Sequence, residues 1–445
     1  MARTPVQQQE IPIQPVEHPI LCSPYKEPDQ HWKFDRTEGR TWREPKRRRA
    51  SYWYKNERTG TAQAELFAQE QQDDLPLPNL LRDDVRRWRD ADYRGATLAT
   101  RELLRHWTRQ DRERRLFFCQ LEAIETLIYL AEMRFTGRTG RLRFTPKLTD
   151  DDLGRLLRGA RPGPAFEIPA GQDYFPTLID KPADPALRPL RRLCTKLATG
   201  SGKTLVAAML ITWAFVNRGI SPASREYPDV VLICAPNLTV KERLGVLRPE
   251  APDNYYDAFQ LVPAKWRPHL QRGIVVIENW HKLAPESPHK EGDRTYAVVD
   301  KGEETPMDLL RRIIREAPDR LPILVINDEG HHCWRPAPGT MVGSRLLGDD
   351  SNGLDEELRE ATVWMEGLDH LNASGGDAPG IAMVVDLSAT PFRIKGSNYP
   401  EGQPFPWIVS DFGLVDAIES GITKIPRLPV QDTTGRPDPK YFRLW

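Results

Sequence analysis

Cysteine is scarce in this chain. There are five in 445 residues (Cys22, Cys119, Cys194, Cys234 and Cys333), odd in number, scattered and without a CxxC pair. That spacing excludes a disulfide framework and fits a reducing compartment. No apolar run approaches the ~18 residues of a membrane span. The opening "MARTPVQQQEIPIQP" lacks the apolar core of a secretory signal. The expectation is a cytoplasmic protein with no membrane segment. Net charge is also lacking, with 63 basic against 63 acidic side chains. Any nucleic-acid contact must then come from a local basic surface.

What is present falls into parts. The length suggests roughly two to four structural units. Residues 1–110 read as an irregular, proline- and glutamine-rich arm followed by charged helices. Within the arm, "EPKRRRASYWYK" places basic residues before aromatics. It has two readings: a nucleic-acid contact, where rings stack on bases and arginines hold phosphates, or a solvated arm laid on another domain. Residues 111–180 hold an amphipathic helix, "RRLFFCQLEAIETLIYLAEMRF", and a linker. From 181 to 426, short β-branched runs (VVLIC, IVVI, ILVIN, MVVDL) alternate with helical segments. That alternation predicts an α/β fold whose parallel sheet is covered by helices on both faces. Residues 335–380 read as a surface insertion with one helix near 354–371, and 427–445 as the start of a linker.

The strongest motif is "LCTKLATGSGKTLVAAML". Thr199-Gly200-Ser201-Gly202-Lys203-Thr204 lies between a predicted strand and a predicted helix. Small residues let the backbone wrap a phosphate, and the helix dipole favours the anion. In such a loop Lys203 reaches the β- and γ-phosphates and the Thr204 hydroxyl binds Mg²⁺. The full GxxxxGK[ST] pattern is not met, because Leu197 holds the first glycine position.

"ILVINDEGHHCW" admits a metal site or the acidic end of a nucleotide motor. The metal reading is weak, because three consecutive residues (His331, His332, Cys333) rarely converge on one ion. With a phosphate loop upstream, Asp328 is expected to hold the Mg²⁺ shell and Glu329 to position the attacking water. His331 is expected to link the nucleotide site to a neighbouring domain, and His332 and Cys333 to pack. Ser388 and Thr390, in "VVDLSATPFR", follow the next strand and are expected to relay nucleotide state to the acids.

In that order, "ATGSGKT", "DEGHH" and "LSATPF" resemble the motifs of superfamily 2 motors of the DEAD/DEAH type, and more closely the ATPase part of type III restriction enzymes, the Res subunit. "PILCSPYKEPDQHWKFD" and "FPWIVSDFGLVDAIESGITKIPRLPV" extend the similarity to most of the chain. Gly330 departs from the alanine more usual there. The resemblance implies a first RecA-like P-loop NTPase domain, with ATP and Mg²⁺ bound. It implies double-stranded DNA as partner and, beyond these residues, a second motor domain, a nuclease and a methyltransferase subunit. It implies that Gln120 reads adenine, with Phe117 or Phe118 near the base. Asn237, Thr239, Lys241 and Arg243, and then Asn279 and His281, would contact the nucleic-acid backbone. "FTGRTGRLRF" imitates an arginine-finger motif but precedes the phosphate loop, so Arg138 and Arg141 read as a basic turn. Two alternatives share the motifs: a superfamily 2 DNA or RNA helicase outside restriction, and a nucleotide-switched binding module without catalysis. Intact Lys203 and Glu329 weigh against the last. In the family a second domain supplies arginines worth about 10³–10⁵ in rate, so this part alone is expected to bind ATP weakly and turn it over slowly.

Overall fold

The computed structural model describes residues 18–35, 40–55, 70–159, 176–284, 304–315, 320–335, 353–393, 399–400 and 402–424. The tail after 424, and with it the predicted linker at 427–445, lies outside the described residues, as do 336–352 of the predicted insertion. Two antiparallel ribbons come first, β1 (His31–Asp35) with β2 (Arg40–Glu44), and β3 (Ser51–Lys55) with β4 (Glu70–Asp74). Helices α1 (Pro76–Asp90), α2 (Leu98–Thr108), α3 (Phe118–Ile128) and α4 (Asp150–Leu157) follow. Then comes the alternating part: β5 (Ile179–Asp180), β6 (Leu190–Leu197), α5 (Lys203–Ile220), β7 (Val230–Ala235), α6 (Leu238–Arg243), α7 (Tyr255–Ala258) and α8 (Arg267–Leu270). It continues with β8 (Ile274–Asn279), α9 (Pro306–Ile313), β9 (Ile323–Asp328), α10 (Gly353–Ala373), β10 (Ile381–Ser388), β11 (Ile408–Phe412) and α11 (Leu414–Glu419).

The protein is mixed α/β. Its seven-stranded sheet runs β11-β6-β10-β9-β7-β8, parallel throughout, with β5 antiparallel beside β6. Alternation along each strand divides the core. Val231, Ile233, Leu324 and Ile326 join the cluster that includes α3 and α5. Val230, Leu232, Ile323 and Val325 join the one that includes α9 and α10. Both faces are therefore covered, as the unbroken apolar runs require. The insertion helix α10 is not a surface element. Trp364, Met365, Leu368 and Leu371 are buried against the sheet.

Helix α3 also differs from its amphipathic reading. Its polar positions are buried rather than solvated, and basic residues from the N-terminal arm and α1 neutralise them. Arg47 meets Glu122 through two bonds of 2.6 Å, and Arg89 meets Glu125 at 2.5 and 2.9 Å. Arg48 reaches Glu419 at 2.6 Å and Arg49 reaches Asp74 at 2.5 Å. The basic run is thus held in intramolecular ion pairs, and the reading as an arm laid on the rest of the protein is the one the geometry favours. Burial alone would raise the Glu122 carboxyl, but the Arg47 guanidinium overcomes it and holds it at about 2. A carboxyl depressed on folding stabilises above its unfolded value, near 4.5, and that stability is lost as pH falls through the folded value. Arg47→Ala is therefore expected to cost about 3 kcal/mol at neutral pH. The penalty should shrink as pH drops from about 5 towards 2, measured by urea unfolding at each pH. A pH-independent penalty would assign the effect to packing.

Candidate functional site

All the strands of the main path point the same way, so their C-terminal ends form one edge. The register aligns Ser388 with Lys196, Asp328 with Leu387, and Asn279 with Ala235. At this edge β6 ends at Leu197 and the chain turns into α5 through Ala198–Gly202. Gly200 and Gly202 have φ of +83° and +91°, a region that other residues adopt at a cost. Gly202 also lacks room, because a Cβ there would lie 2.2 Å from Nε2 of Gln120. No side chain caps α5 at Gly202, so the positive end of an 18-residue helix opens on the loop.

Gln120, expected to read adenine, lies against the backbone of the loop. Its Oε1 accepts from the Phe117 amide at 2.9 Å and its Nε2 donates to the Ser201 carbonyl at 2.8 Å, with the side chain buried. It caps α3 and braces the loop. Phe118 lies near the guanidinium groups of both Arg47 and Arg89, at 5.4 and 5.6 Å, and is closed off as well. Phe117 packs on Tyr25, with ring centroids 5.7 Å apart. Thr423, which carries no motif, donates to the Thr199 carbonyl at 3.2 Å.

Across β10 from β6, β9 delivers the acids. Lys203 Nζ meets Glu329 Oε1 at 2.5 Å. Glu329 has φ of +50°, which turns the chain into a single 3-10 turn over Gly330–His332. Asp328 sits beside it, 8% exposed. Burial pushes its carboxyl up to about 6, the Glu329 charge adds to the rise, and Lys203 and Arg243 oppose it. His331 Nδ1 lies 3.0 Å from Ser388 Oγ and 3.5 Å from Glu329. Burial, and then neighbouring His332, push His331 down to about 4, so it is neutral at pH 7. Ser388 is wholly buried and also accepts from the Thr390 amide at 3.1 Å. Thr390 itself is exposed. His332 is more than a packing residue. It faces Glu360 on α10 at 3.4 Å, a contact that raises its pKa.

Beneath the acid turn lies a buried polar layer that no motif announces. Arg192 donates to Asp386 at 2.9 Å, to Asp180 at 2.8 Å and to the Cys333 carbonyl. Asp386 also accepts from Asn327 at 2.8 Å and from Trp407 at 2.7 Å. This layer accounts for glycine at position 330. A Cβ there would lie 2.6 Å from the Cβ of Asp386.

The residues expected to touch nucleic acid divide. Asn237 caps α6, accepting from the Val240 amide at 2.9 Å, and Lys241 is paired with Glu278 at 2.6 Å. Asn279 is buried, and its Oδ1 accepts from the His281 amide at 3.0 Å. It shapes a turn. Thr239, Arg243 and His281 stay exposed on the same edge as the phosphate loop. Arg138–Arg141 forms a 3-10 turn. Among the described residues, no helix is long and apolar enough to cross a membrane.

A scan of protein-family models, a search of curated proteins and a search of solved structures find nothing that matches this chain.

Proposed function

We propose that this chain is the RecA-like first motor domain of a superfamily 2 ATPase. The observation that carries the reading is the meeting of Lys203 and Glu329 over a glycine loop at the head of α5, with Asp328 alongside. The strand between the loop strand and the acid strand ends in Ser388, hydrogen-bonded to the acid turn through His331. The donor set fits Mg²⁺-ATP. The loop and the uncapped helix end suit phosphates, Lys203 suits phosphate oxygens, and the Thr204 hydroxyl and the Asp328 carboxylate are hard oxygen ligands of the kind magnesium takes. A bound Mg²⁺ would neutralise charge on the phosphates.

In this reading Glu329 orients and polarises the attacking water, and Lys203 leaves Glu329 for the phosphates when nucleotide enters. Ser388 holds His331, and His331 holds the turn that carries Glu329. Thr239, Arg243 and His281 face nucleic acid. Double-stranded DNA as the track, and a type III-like restriction or anti-phage system as the setting, rest on the family resemblance of the motifs.

The test is nucleotide binding by the 445-residue chain, titrated with a fluorescent ATP analogue and Mg²⁺. Lys203→Ala is expected to weaken binding on the order of 10–100-fold, the worth of roughly 1.5–3 kcal/mol for bonds to a charged group. Equal affinity of the variant and the parent chain would overturn the proposal.

A further inference from the structure

The first ribbon has no part in the nucleotide site. We propose that β1–β2 binds single-stranded nucleic acid, with its rings stacking on bases and its cations on phosphates. Among the described residues its two strands pair only with each other. Directly opposed residues of an antiparallel pair share a face. The register therefore puts Trp32, Phe34, Thr41 and Arg43 on one side, and Lys33 and Trp42 on the other. Phe34 is 43% exposed and Trp42 39% exposed, both large for aromatic residues in an ordered element.

The cations carry the inference. A few residues on, each arginine of the 47–49 run meets a carboxylate. Lys33 and Arg43 do not: among the described residues neither has an ion pair. Instead Lys33 Nζ lies 5.5 Å from the centre of the Trp42 ring and Arg43 Cζ 5.4 Å from that of Trp32. Glu44, two residues from Trp42, is paired with Lys46 at 3.1 Å, accepts from the Trp42 indole at 3.3 Å and is also influenced by Lys33. Beside exposed π-faces the ribbon thus presents cations that, among the described residues, have no ion-pair partner. That pairing matches a strand whose bases are unstacked and whose phosphates run alongside. An apolar protein surface would leave the two cations uncompensated.

The ribbon is also held as a platform. A free two-stranded hairpin is marginal in water, but this one is fastened at its base. The Trp32 amide donates to Glu419 at 3.0 Å and its carbonyl accepts from Arg48 at 3.2 Å. His31 bonds the Lys46 carbonyl at 2.7 Å. Rings on an anchored ribbon lose little freedom when a base stacks on them.

The experiment is fluorescence anisotropy of a labelled oligothymidylate strand with the 445-residue chain, without nucleotide, over a series of salt concentrations. Phe34→Ala with Trp42→Ala removes rings and leaves the charge. Lys33→Gln with Arg43→Gln removes charge and leaves the rings. Unchanged thermal unfolding shows that each variant is folded, and either pair alone suffices if the other fails to fold. The ring pair is expected to weaken binding by about tenfold or more, since each stacked base contributes on that scale. The charge pair is expected to lower the salt slope by about 1.4, two phosphate contacts at about 0.7 each. Lys203→Ala should bind the strand as the parent does, which separates this site from the nucleotide reading. A parent chain that does not bind the strand, or folded variants of both pairs that bind it unchanged, would each overturn the proposal.

Discussion

Glu329→Gln is expected to lower ATP turnover by about 10²–10⁴-fold, the usual worth of a positioned acid–base group, while nucleotide binding holds or tightens. The two halves have one geometric cause. Glu329 is the side chain that would orient water, and it is also the partner of Lys203 at 2.5 Å. On the proposed reading, nucleotide draws Lys203 away from that carboxylate. A neutral amide keeps the shape of the side chain and gives up the ion pair, so Lys203 is released for phosphate. The pair is partly open to solvent, and its loss is worth about 1 kcal/mol at most, which sets the gain in affinity at about fivefold or less. Single-turnover hydrolysis with protein in excess reads the first half, and titration of the fluorescent analogue reads the second. Turnover unchanged in the variant would remove Glu329 from the chemistry. Binding weakened as much as in Lys203→Ala would make the carboxylate a structural support for the loop.

The sheet and its candidate nucleotide edge were legible in the sequence because both are local patterns. Unbroken β-branched runs mark strands buried on two faces, and strand–glycine loop–helix is a contiguous signature. Each of the runs VVLIC, IVVI, ILVIN and MVVDL lies within a strand that extends a little beyond it. The arm was not legible in the same way. Nothing within "EPKRRRASYWYK" shows that Arg48 will meet Glu419, 371 positions away, and a run of unpaired-looking arginines reads equally as a nucleic-acid surface. The buried glutamates of α3 misled for the same reason, since local periodicity places them on a wet face while their partners come from distant segments. Gln120 shows a further limit. The motif places it near the loop, but which atoms its amide faces depends on the Ser201 carbonyl, and no spacing encodes that.

The polar layer under the acid turn was the least legible part, and it carries the largest expected effect on stability. Arg192 on β6, Asp386 on β10 and Asn327 on β9 stand on three adjacent central strands and are wholly buried. Asp386 gathers donors from Arg192, Asn327 and Trp407, and Arg192 passes on to the Cys333 carbonyl, where the acid turn ends. Asp386→Ala would leave the Arg192 guanidinium buried with only Asp180 to balance it. Breaking a buried pair from one side costs about 3–5 kcal/mol, read as the change in urea unfolding. Arg192→Met should cost a similar amount. The double variant should cost less than the two together by about 0.5–3 kcal/mol, because each partner becomes a liability only once the other is removed. Gly330→Ala probes the same layer from above. Its methyl group must displace the Cβ of Asp386, 2.6 Å away, at about 1–3 kcal/mol for overpacking. Additive single variants, or an alanine at 330 without effect on stability, would show that the three strands are held by their apolar faces alone and that the position of the acid turn owes nothing to the charges beneath it.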